Sequence, residues 1–219
     1  MIELVLFDLD GTFADTALDL GAALNRLRGE HGLEPLPIDA YRAVTSHGVR
    51  GLLKAGFNLA PDHDGYGELA QRFLGHYAQA ICVETRMFPG ISALVDAIEA
   101  RGIRWGIVTN KSQRFTLPLV AGLGIGRRAT CIVSGDSAPR PKPHSDPLLL
   151  AAQIGQTQPQ CCIYVGDDFR DIQAGRAAGM FTVAATYGYL GEGEPVEAWG
   201  ADALISHPEE LLAFVDRLG

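Results

Sequence analysis

Two aspartates, Asp8 and Asp10, follow the first hydrophobic run of the chain with one residue between them. Residues 1–7 are short, apolar and branched in character, which predicts a buried strand. Side chains two residues apart on an extended backbone point the same way, so both carboxylates face one point at the carboxyl end of the strand. Two like charges held that closely require a cation or a shared proton. Residues 8–12 therefore indicate a metal-assisted site with a nucleophile and an acid–base group in one turn.

Taken alone, residues 8–12 also fit an ordinary strand-ending turn, because Asp and Gly are common turn residues. Three further segments with related chemistry favour the functional interpretation. They follow in order at residues 108–111 (VTNK), 141–143 (PKP) and 166–171 (GDDFRD).

The second and third segments supply groups that suit a phosphate. Thr109 and Asn110 place a hydroxyl and free backbone N–H groups at a predicted strand-to-helix turn, where anions bind. An N-cap of the following helix is the alternative for both residues. Lys142 lies between two prolines, which restrict its backbone and would pre-position its charge. The alternative for Lys142 is an exposed loop lysine.

The fourth segment places Asp167, Asp168 and Asp171 within five residues after a predicted buried strand. Mg²⁺ prefers oxygen ligands and takes one or two carboxylates together with water and substrate phosphate. The segment therefore predicts a Mg²⁺ site, although Asp171 could instead complement the dipole of the following helix.

The elements that must position these residues alternate along the chain. Hydrophobic runs at 103–109, 130–134, 161–165, 180–185 and 203–206 predict further strands. Segments of helical period lie between and after them at 91–101, 115–122, 147–154, 172–178 and 208–218. This alternation predicts an α/β fold with a doubly wound, mostly parallel sheet, whose ligands bind at the carboxyl ends of the strands.

Residues 14–86 break this alternation. They contain no good strand candidate and show amphipathic helical patterns at 18–31, 38–47, 49–55 and 66–81. We therefore expect a helical domain at 14–86, inserted through linkers into an α/β core formed by residues 1–13 and 87–219.

Composition excludes several classes of function. The 219 residues carry 26 acidic and 18 basic side chains, a net charge of −8, which argues against non-specific nucleic-acid binding. Four cysteines without a CxxC pair fit a reducing compartment. The opening run does not have the form of a signal peptide, and no apolar run approaches the length of a membrane span. We expect a cytoplasmic protein without nucleic-acid or membrane partners. A monomer and a dimer both remain open.

Together the four segments resemble the motifs of the haloacid dehalogenase superfamily, over essentially the whole chain. The resemblance implies a Rossmann-like core with a helical cap inserted after the first motif. Within that superfamily the chain is similar to the phosphoglycolate phosphatase-like group. Residues 105–111, 187–189 and 199–202 resemble its N-acetylmuramic acid 6-phosphate phosphatase branch. True haloacid dehalogenases lack an acid at the position of Asp10, because a leaving halide needs no proton, so Asp10 favours phosphate esters.

The resemblance implies hydrolysis of a small phosphorylated metabolite through an aspartyl-phosphate, with Mg²⁺ as cofactor. The expected substrate is 2-phosphoglycolate, and N-acetylmuramic acid 6-phosphate is the alternative. The implied roles are Asp8 as nucleophile, Asp10 as acid and base, Lys142 as neutralising cation, Thr109 and Asn110 as phosphate ligands, Asp8, Asp10 and Asp167 as metal ligands, and Asp168 and Asp171 just outside them.

Substrate selection is expected from the helical insertion. Arg50 follows a polar, Gly-containing turn and is our candidate for binding a substrate carboxylate. The alternative is a surface arginine at a helix start. His47 and the loop 188–193 receive no role.

Other functions remain as alternatives. A sugar phosphomutase would use the same site. A phosphonate hydrolase would need Lys54, the single lysine of the insertion, as a Schiff base. A binding module on an inactive scaffold is disfavoured, because every catalytic position is filled.

Overall fold

A six-stranded sheet, parallel throughout, forms the centre of the protein. The computed structural model describes residues 1–191 and 193–218. Its strands are β1 (Leu4–Phe7), β2 (Ala14–Asp15), β3 (Arg86–Met87), β4 (Arg104–Val108), β5 (Cys131–Val133), β6 (Cys162–Gly166), β7 (Phe181–Ala185) and β8 (Ala203–Ile205). The order in the sheet is β5-β4-β1-β6-β7-β8, and β2 pairs with β3 in a separate antiparallel ribbon. The predicted doubly wound α/β fold is confirmed.

The helices are α1 (Ala17–Glu30), α2 (Gly48–Phe57), α3 (Tyr66–Gln79), α4 (Ile91–Ala100), α5 (Gln113–Gly122), α6 (Asp146–Ile154), α7 (Phe169–Ala178) and α8 (Leu211–Leu218). Helices α4, α5 and α8 pack against one face of the sheet, and α6 and α7 pack against the other. Among the described residues, no helix is long and apolar enough to cross a membrane.

The apolar strands are explained by burial on both faces, as expected for a parallel sheet between helices. On β1, Val5 and Phe7 pack in one cluster with residues of α4 and α8. Leu4 and Leu6 face the other way and pack in a second cluster with residues of α6 and α7. The strand therefore reads as a continuous apolar run, and its polar residues begin only where it ends, at Asp8.

The segment between β2 and β3 is helical and has a core of its own. Leu24, Leu52 and Phe73, one from each of α1, α2 and α3, are fully buried in one apolar cluster. Because β2 and β3 pair with each other, the two ends of the segment lie side by side.

The helix predicted over residues 38–47 was wrong. The structure has two 3₁₀ turns instead, Ile38–Ala40 and Arg42–His47, separated by Tyr41 at φ −136°. The ring of Tyr41 is buried in the space that Gly21 of α1 leaves open. Thr45 Oγ1 also donates to the carbonyl oxygen of Tyr41 at 3.0 Å. Tertiary packing of one aromatic ring thus interrupts the amphipathic pattern.

Candidate active site

Three of the predicted site residues lie at the ends of three neighbouring strands. Asp8 follows β1, Thr109 follows β4 and Asp167 follows β6, and β1 lies between the other two strands in the sheet. The chain order reverses on either side of β1, which makes this a topological switch point where open α/β sheets bind ligands.

Lys142 is buried at the centre of the site. Its ammonium donates to Asp8 Oδ1 at 2.8 Å, to Asp171 Oδ1 at 2.6 Å and to the hydroxyl of Tyr164 at 2.8 Å. Burial acts to lower the pKa of Lys142, but the carboxylates of Asp171 and Asp8 outweigh it and raise that pKa above its usual value. The alternative of an exposed loop lysine is therefore excluded.

Asp8 and Asp167 lie among like charges with little water around them. Burial raises the pKa of Asp8 to about 7, against the opposing effect of Lys142. Burial and the nearby charges of Asp8 and Asp171 also raise the pKa of Asp167 well above its usual value. One ligand atom from each of these three carboxylates lies within 4.8 Å of the others. Such a cluster of oxygen donors fits a divalent cation, which would relieve the repulsion.

The carboxylate of Asp167 has a fixed orientation. Thr12 Oγ1 donates to Oδ1 at 2.7 Å and the backbone N–H of Tyr189 donates to Oδ2 at 2.9 Å. Gly11 has φ +90°, and a Cβ there would collide with the Asp167 carboxylate. The glycine of the first motif is therefore required both for its backbone conformation and for the approach of Asp167.

Asp10 lines the same cavity as Asp8 and is paired with a second lysine. The ammonium of Lys111 donates to Asp10 Oδ1 at 2.8 Å. Sequence reasoning included Lys111 in the second motif but gave it no role. Its position directly after Asn110 was the available signal.

Thr109 and Asn110 do not cap the following helix, because Ser112 occupies the N-cap position of α5. Thr109 is buried, and its hydroxyl accepts from the backbone N–H of Lys111 at 3.1 Å. The side chain of Asn110 donates to the carbonyl oxygen of Lys142 at 2.9 Å and accepts from its N–H at 3.0 Å. Asn110 thus holds the loop that carries Lys142, a contact that the sequence did not reveal.

Asp168 and Asp171 form a capping box at the N-terminus of α7. Asp171 serves two purposes, because its Oδ1 binds Lys142 while its Oδ2 accepts from the N–H of Asp168 at 3.1 Å. Asp168 pairs with Arg170 through two contacts of 2.8 Å. Burial acts to raise the pKa of Asp168, but Arg170 outweighs it and lowers that pKa. Asp168 and Asp171 therefore both lie beside the site, where Asp171 binds Lys142 and Asp168 binds Arg170.

A cavity of about 500 Å³ opens above these groups. Its polar part includes Asp8, Asp10 and Lys142. The apolar side chains that line it come from α1, α2, α3 and α5 and include Leu20, Val49, Phe73, Leu74, Tyr77 and Phe115. The cavity is therefore lined by charged side chains near Asp8 and by largely apolar side chains elsewhere.

The remaining candidates differ in how close they come to this cavity. Arg50 lines it from the start of α2 and is exposed. His47 also lines it, with Nε2 at 3.6 Å from Asp168 Oδ2. Of the loop 188–193, Tyr189 binds Asp167, while Glu192 lies outside the described residues. Lys54 is exposed and donates to Asn58 at 2.6 Å, as in an ordinary surface helix position.

Comparison with known proteins agrees with this geometry. The family described as haloacid dehalogenase-like hydrolase matches residues 5–185. The N-acetylmuramic acid 6-phosphate phosphatase of Pseudomonas aeruginosa is 41% identical over 216 residues, covering 99% of this chain and 96% of that protein. The phosphoglycolate phosphatase of Xanthomonas campestris pv. campestris is 40% identical over 209 residues, covering 94% of this chain and 93% of that protein.

The fold is also shared with a solved structure. The crystal structure of a predicted phosphoglycolate phosphatase from Haemophilus somnus superposes with a TM-score of 0.85 at 24% identity, covering 98% of both chains. The chain therefore belongs to the haloacid dehalogenase-like hydrolase family, and the activity that its named relatives share is phosphoric monoester hydrolysis.

Proposed function

Since the chain is a member of that family, we propose that it is a Mg²⁺-dependent phosphomonoesterase that works through an aspartyl-phosphate on Asp8. The observation that carries the proposal is the meeting of Asp8, Asp10 and Lys142 in one cavity, with Asp167 beside Asp8. A nucleophile, an acid–base group, a buried cation and an oxygen-rich metal site are the parts that this chemistry needs.

Asp8 is the nucleophile that attacks phosphorus. Lys142, at 2.8 Å from Asp8 Oδ1, neutralises charge on the phosphoryl group and on the aspartyl-phosphate. Asp171 and Tyr164 hold the ammonium of Lys142 in place, and Asn110 holds its backbone. The hydroxyl of Thr109 and the backbone N–H of Asn110 bind phosphoryl oxygens at the end of β4.

Asp10 is the general acid and then the general base. It protonates the departing alkoxide in the first half-reaction and takes a proton from the attacking water in the second. Its place two residues after Asp8 brings both groups to one strand end.

Residues around Asp8 fit a magnesium ion. The carboxylates of Asp8 and Asp167, together with the backbone carbonyl oxygen of Asp10, would hold it. When bound, Mg²⁺ reduces repulsion between Asp8 and the phosphate and stabilises charge on the phosphoryl oxygens. The raised pKa values of Asp8 and Asp167 support this assignment, because burial and neighbouring carboxylates disfavour their charged forms, which a divalent cation would stabilise.

Residues 14–86 act as a cap over an α/β core formed by residues 1–13 and 87–219. Two bonds between the two parts support this division. Ser46 Oγ donates to Asp167 Oδ2 at 3.2 Å, and Arg170 donates to the carbonyl oxygen of Ser46 at 2.9 Å. A cap in this position excludes water from the site and selects the leaving group.

The preferred substrate is a carboxylate-bearing phosphate ester larger than a two-carbon acid. The cavity of about 500 Å³ falls within the range of roughly 300–1,000 Å³ that is usual for sites of larger ligands. Its apolar wall suits a bulky leaving group, and Arg50 suits a carboxylate. N-acetylmuramic acid 6-phosphate, the ester in the name of the 41% identical relative, has both features. The second candidate, 2-phosphoglycolate, has only the carboxylate.

The test is phosphate release with Mg²⁺ from these two esters and a panel of sugar phosphates, compared as kcat/KM. Each assay is repeated with EDTA and with Asp8→Asn. We expect activity to require both Mg²⁺ and Asp8, and to be highest on the muramic ester. An Asp8→Asn variant that keeps near wild-type activity would refute the mechanism. An isomerised sugar phosphate in place of free phosphate would identify a mutase.

A further inference from the structure

Two side-chain donors hold the carboxylate of Asp10. Thr16 Oγ1 donates to Oδ1 at 2.6 Å, and the ammonium of Lys111 donates to Oδ1 at 2.8 Å and to Oδ2 at 3.1 Å. The side chains of Lys111 and Asp10 are only 9% and 14% exposed. Charges withdrawn from water to this degree are poorly screened, so the ion pair strongly favours one orientation of the carboxylate.

Lys111 does not duplicate Lys142. The ammonium of Lys142 is occupied by Asp8, Asp171 and Tyr164. The two buried lysines therefore serve different aspartates of the first motif, Lys142 at Asp8 and Lys111 at Asp10.

Helix α3 covers Lys111 from the other side. The ammonium lies 4.9 Å from the centroid of the Tyr77 ring, a distance at which a cation is attracted to an aromatic face. Tyr77 is 1% exposed, and its ring packs against Phe115 with centroids 5.5 Å apart. Lys111 is thus held between an aspartate of the core and a tyrosine of the cap.

We propose that Lys111 is a positioning residue for Asp10, and that Tyr77 holds Lys111 where this role requires it. The inference rests on the proposed function, because it concerns Asp10 as the acid–base group. The contacts from Tyr77 through Lys111 to Asp10 run from α3 into the core. Displacing α3 would remove the Tyr77 ring from Lys111 and weaken the hold of Lys111 on Asp10. Proton transfer from Asp10 to the leaving group therefore depends on the position of the cap.

A leaving-group comparison separates this role from a purely structural one. The value of kcat/KM reports the steps up to departure of the leaving group. An alkyl phosphate needs a proton at that step, whereas p-nitrophenolate departs without one. A residue that acts through Asp10 therefore affects the alkyl ester more than p-nitrophenyl phosphate, while a residue that only stabilises the fold affects both equally.

Lys111→Met keeps most of the length of the side chain and removes its charge. We expect kcat/KM for the best alkyl ester to fall at least about tenfold, part of the roughly 100- to 10,000-fold that general acid catalysis contributes. The value for p-nitrophenyl phosphate should change less than about threefold, because it needs no acid at this step. Lys111→Arg, which restores a cation, should recover part of the lost activity.

Tyr77 supplies a second, independent pair of variants. Tyr77→Leu removes the aromatic face and should lower the alkyl-ester value by about 2- to 30-fold, the range that corresponds to a cation–π contact. Tyr77→Phe keeps the ring and should stay close to the wild type. Lys54→Met, at the exposed lysine bonded to Asn58, is the matched control for the loss of a lysine in Lys111→Met.

The outcomes are distinguishable from those that test the proposed function. Equal losses on both substrates in Lys111→Met, or no loss on either, would overturn the positioning role. Equal values for Tyr77→Leu and Tyr77→Phe would overturn the role of the ring. Asp8→Asn tests the aspartyl-phosphate separately, because it should abolish turnover of both substrates. Thermal unfolding of each variant checks that it is folded, and if Lys111→Met is not, Lys111→Arg and the Tyr77 pair decide the question.

Discussion

The guanidinium of Arg170 donates to the main-chain carbonyl oxygen of Ser46 at 2.9 Å, and so joins the start of α7 to the turn before α2. Asp168 fixes this guanidinium through two contacts of 2.8 Å. The turn that leads into Arg50 is therefore tied to the core directly beside Asp167.

The first prediction concerns this tie. Arg170→Gln removes the cation but keeps a polar side chain, so the turn before α2 loses its charge-assisted bond to the core. Such bonds contribute about 1.5–3 kcal/mol, so we expect KM for the preferred ester to rise by about tenfold or more. The change in kcat should be smaller, because Asp8 and Lys142 are untouched. Steady-state kinetics on the preferred ester measure both values.

Arg140→Gln is the matched control for Arg170→Gln. Arg140 forms an exposed ion pair with Asp146, at 2.8 Å, and such pairs contribute little. Equal KM values for the two variants would contradict a closing role for Arg170.

The second prediction concerns the support of Lys142 by Asn110. Asn110→Ala removes both bonds to the Lys142 backbone and should destabilise the fold by about 1–3 kcal/mol, the usual net value of two hydrogen bonds. We also expect kcat to fall, because the Lys142 ammonium loses its fixed place beside Asp8. Denaturant unfolding and phosphate release measure the two effects. Asn110→Asp keeps the acceptor for the Lys142 N–H but sets a carboxylate oxygen against the Lys142 carbonyl oxygen, so it should be no more stable than Asn110→Ala.

Much of this architecture was predictable from the sequence. The core strands are short apolar runs buried on both faces, so β1, β4 and β6 stand out against polar surroundings. Their polar residues begin where the strands end, which predicts that Asp8, Thr109 and Asp167 meet. Local pattern and parallel-sheet geometry were sufficient for this much.

Contacts between distant side chains were not predictable in this way. Nothing in the spacing shows that Asn110 grips the Lys142 loop, that Tyr164 joins Lys142 to Asp171, or that Lys111 pairs with Asp10. These contacts depend on rotamers that the packed interior selects. Tyr41 is the clearest case, because its burial against Gly21 overrides a helical pattern.

The third prediction concerns the effect of pH on the metal-free protein. The folded-state pKa of Asp8 is about 7, raised by burial from 3.8. The folded state therefore binds a proton more tightly than the unfolded state. Asp8 should therefore contribute stability to the metal-free protein that is present at low pH and is lost as pH rises from about 4 to 7. Burial raises the pKa of Asp167 as well, which acts in the same direction.

Mg²⁺ should reverse this trend, since it binds the deprotonated carboxylates. We expect the rise in unfolding temperature on adding Mg²⁺ to be small near pH 5 and to grow towards pH 8. Asp8→Asn should flatten the pH slope in EDTA, whereas Asp62→Asn, at an exposed aspartate, should leave it unchanged. Thermal unfolding across this pH range, with EDTA and with Mg²⁺, provides the measurement. A Mg²⁺ effect that is independent of pH would contradict the assignment of Asp8 as a ligand.

The fourth prediction concerns Arg50 and the choice of substrate. Arg50 lines the cavity from the start of α2, and its guanidinium can bind a carboxylate through two parallel bonds. Arg50→Ala should therefore lower kcat/KM for carboxylate-bearing esters by about tenfold or more, the value of one charge-assisted contact. Esters without a carboxylate should be nearly unaffected. The comparison uses N-acetylmuramic acid 6-phosphate against N-acetylglucosamine 6-phosphate, which lacks the lactyl carboxylate.

Arg26→Ala provides the control for Arg50→Ala, because Arg26 is an exposed arginine of α1 bonded to Gln79. An equal loss of kcat/KM for both esters in Arg50→Ala would mean that Arg50 supports the structure of the cap and does not bind the substrate carboxylate. A loss confined to the carboxylate-bearing ester would assign the selection to Arg50.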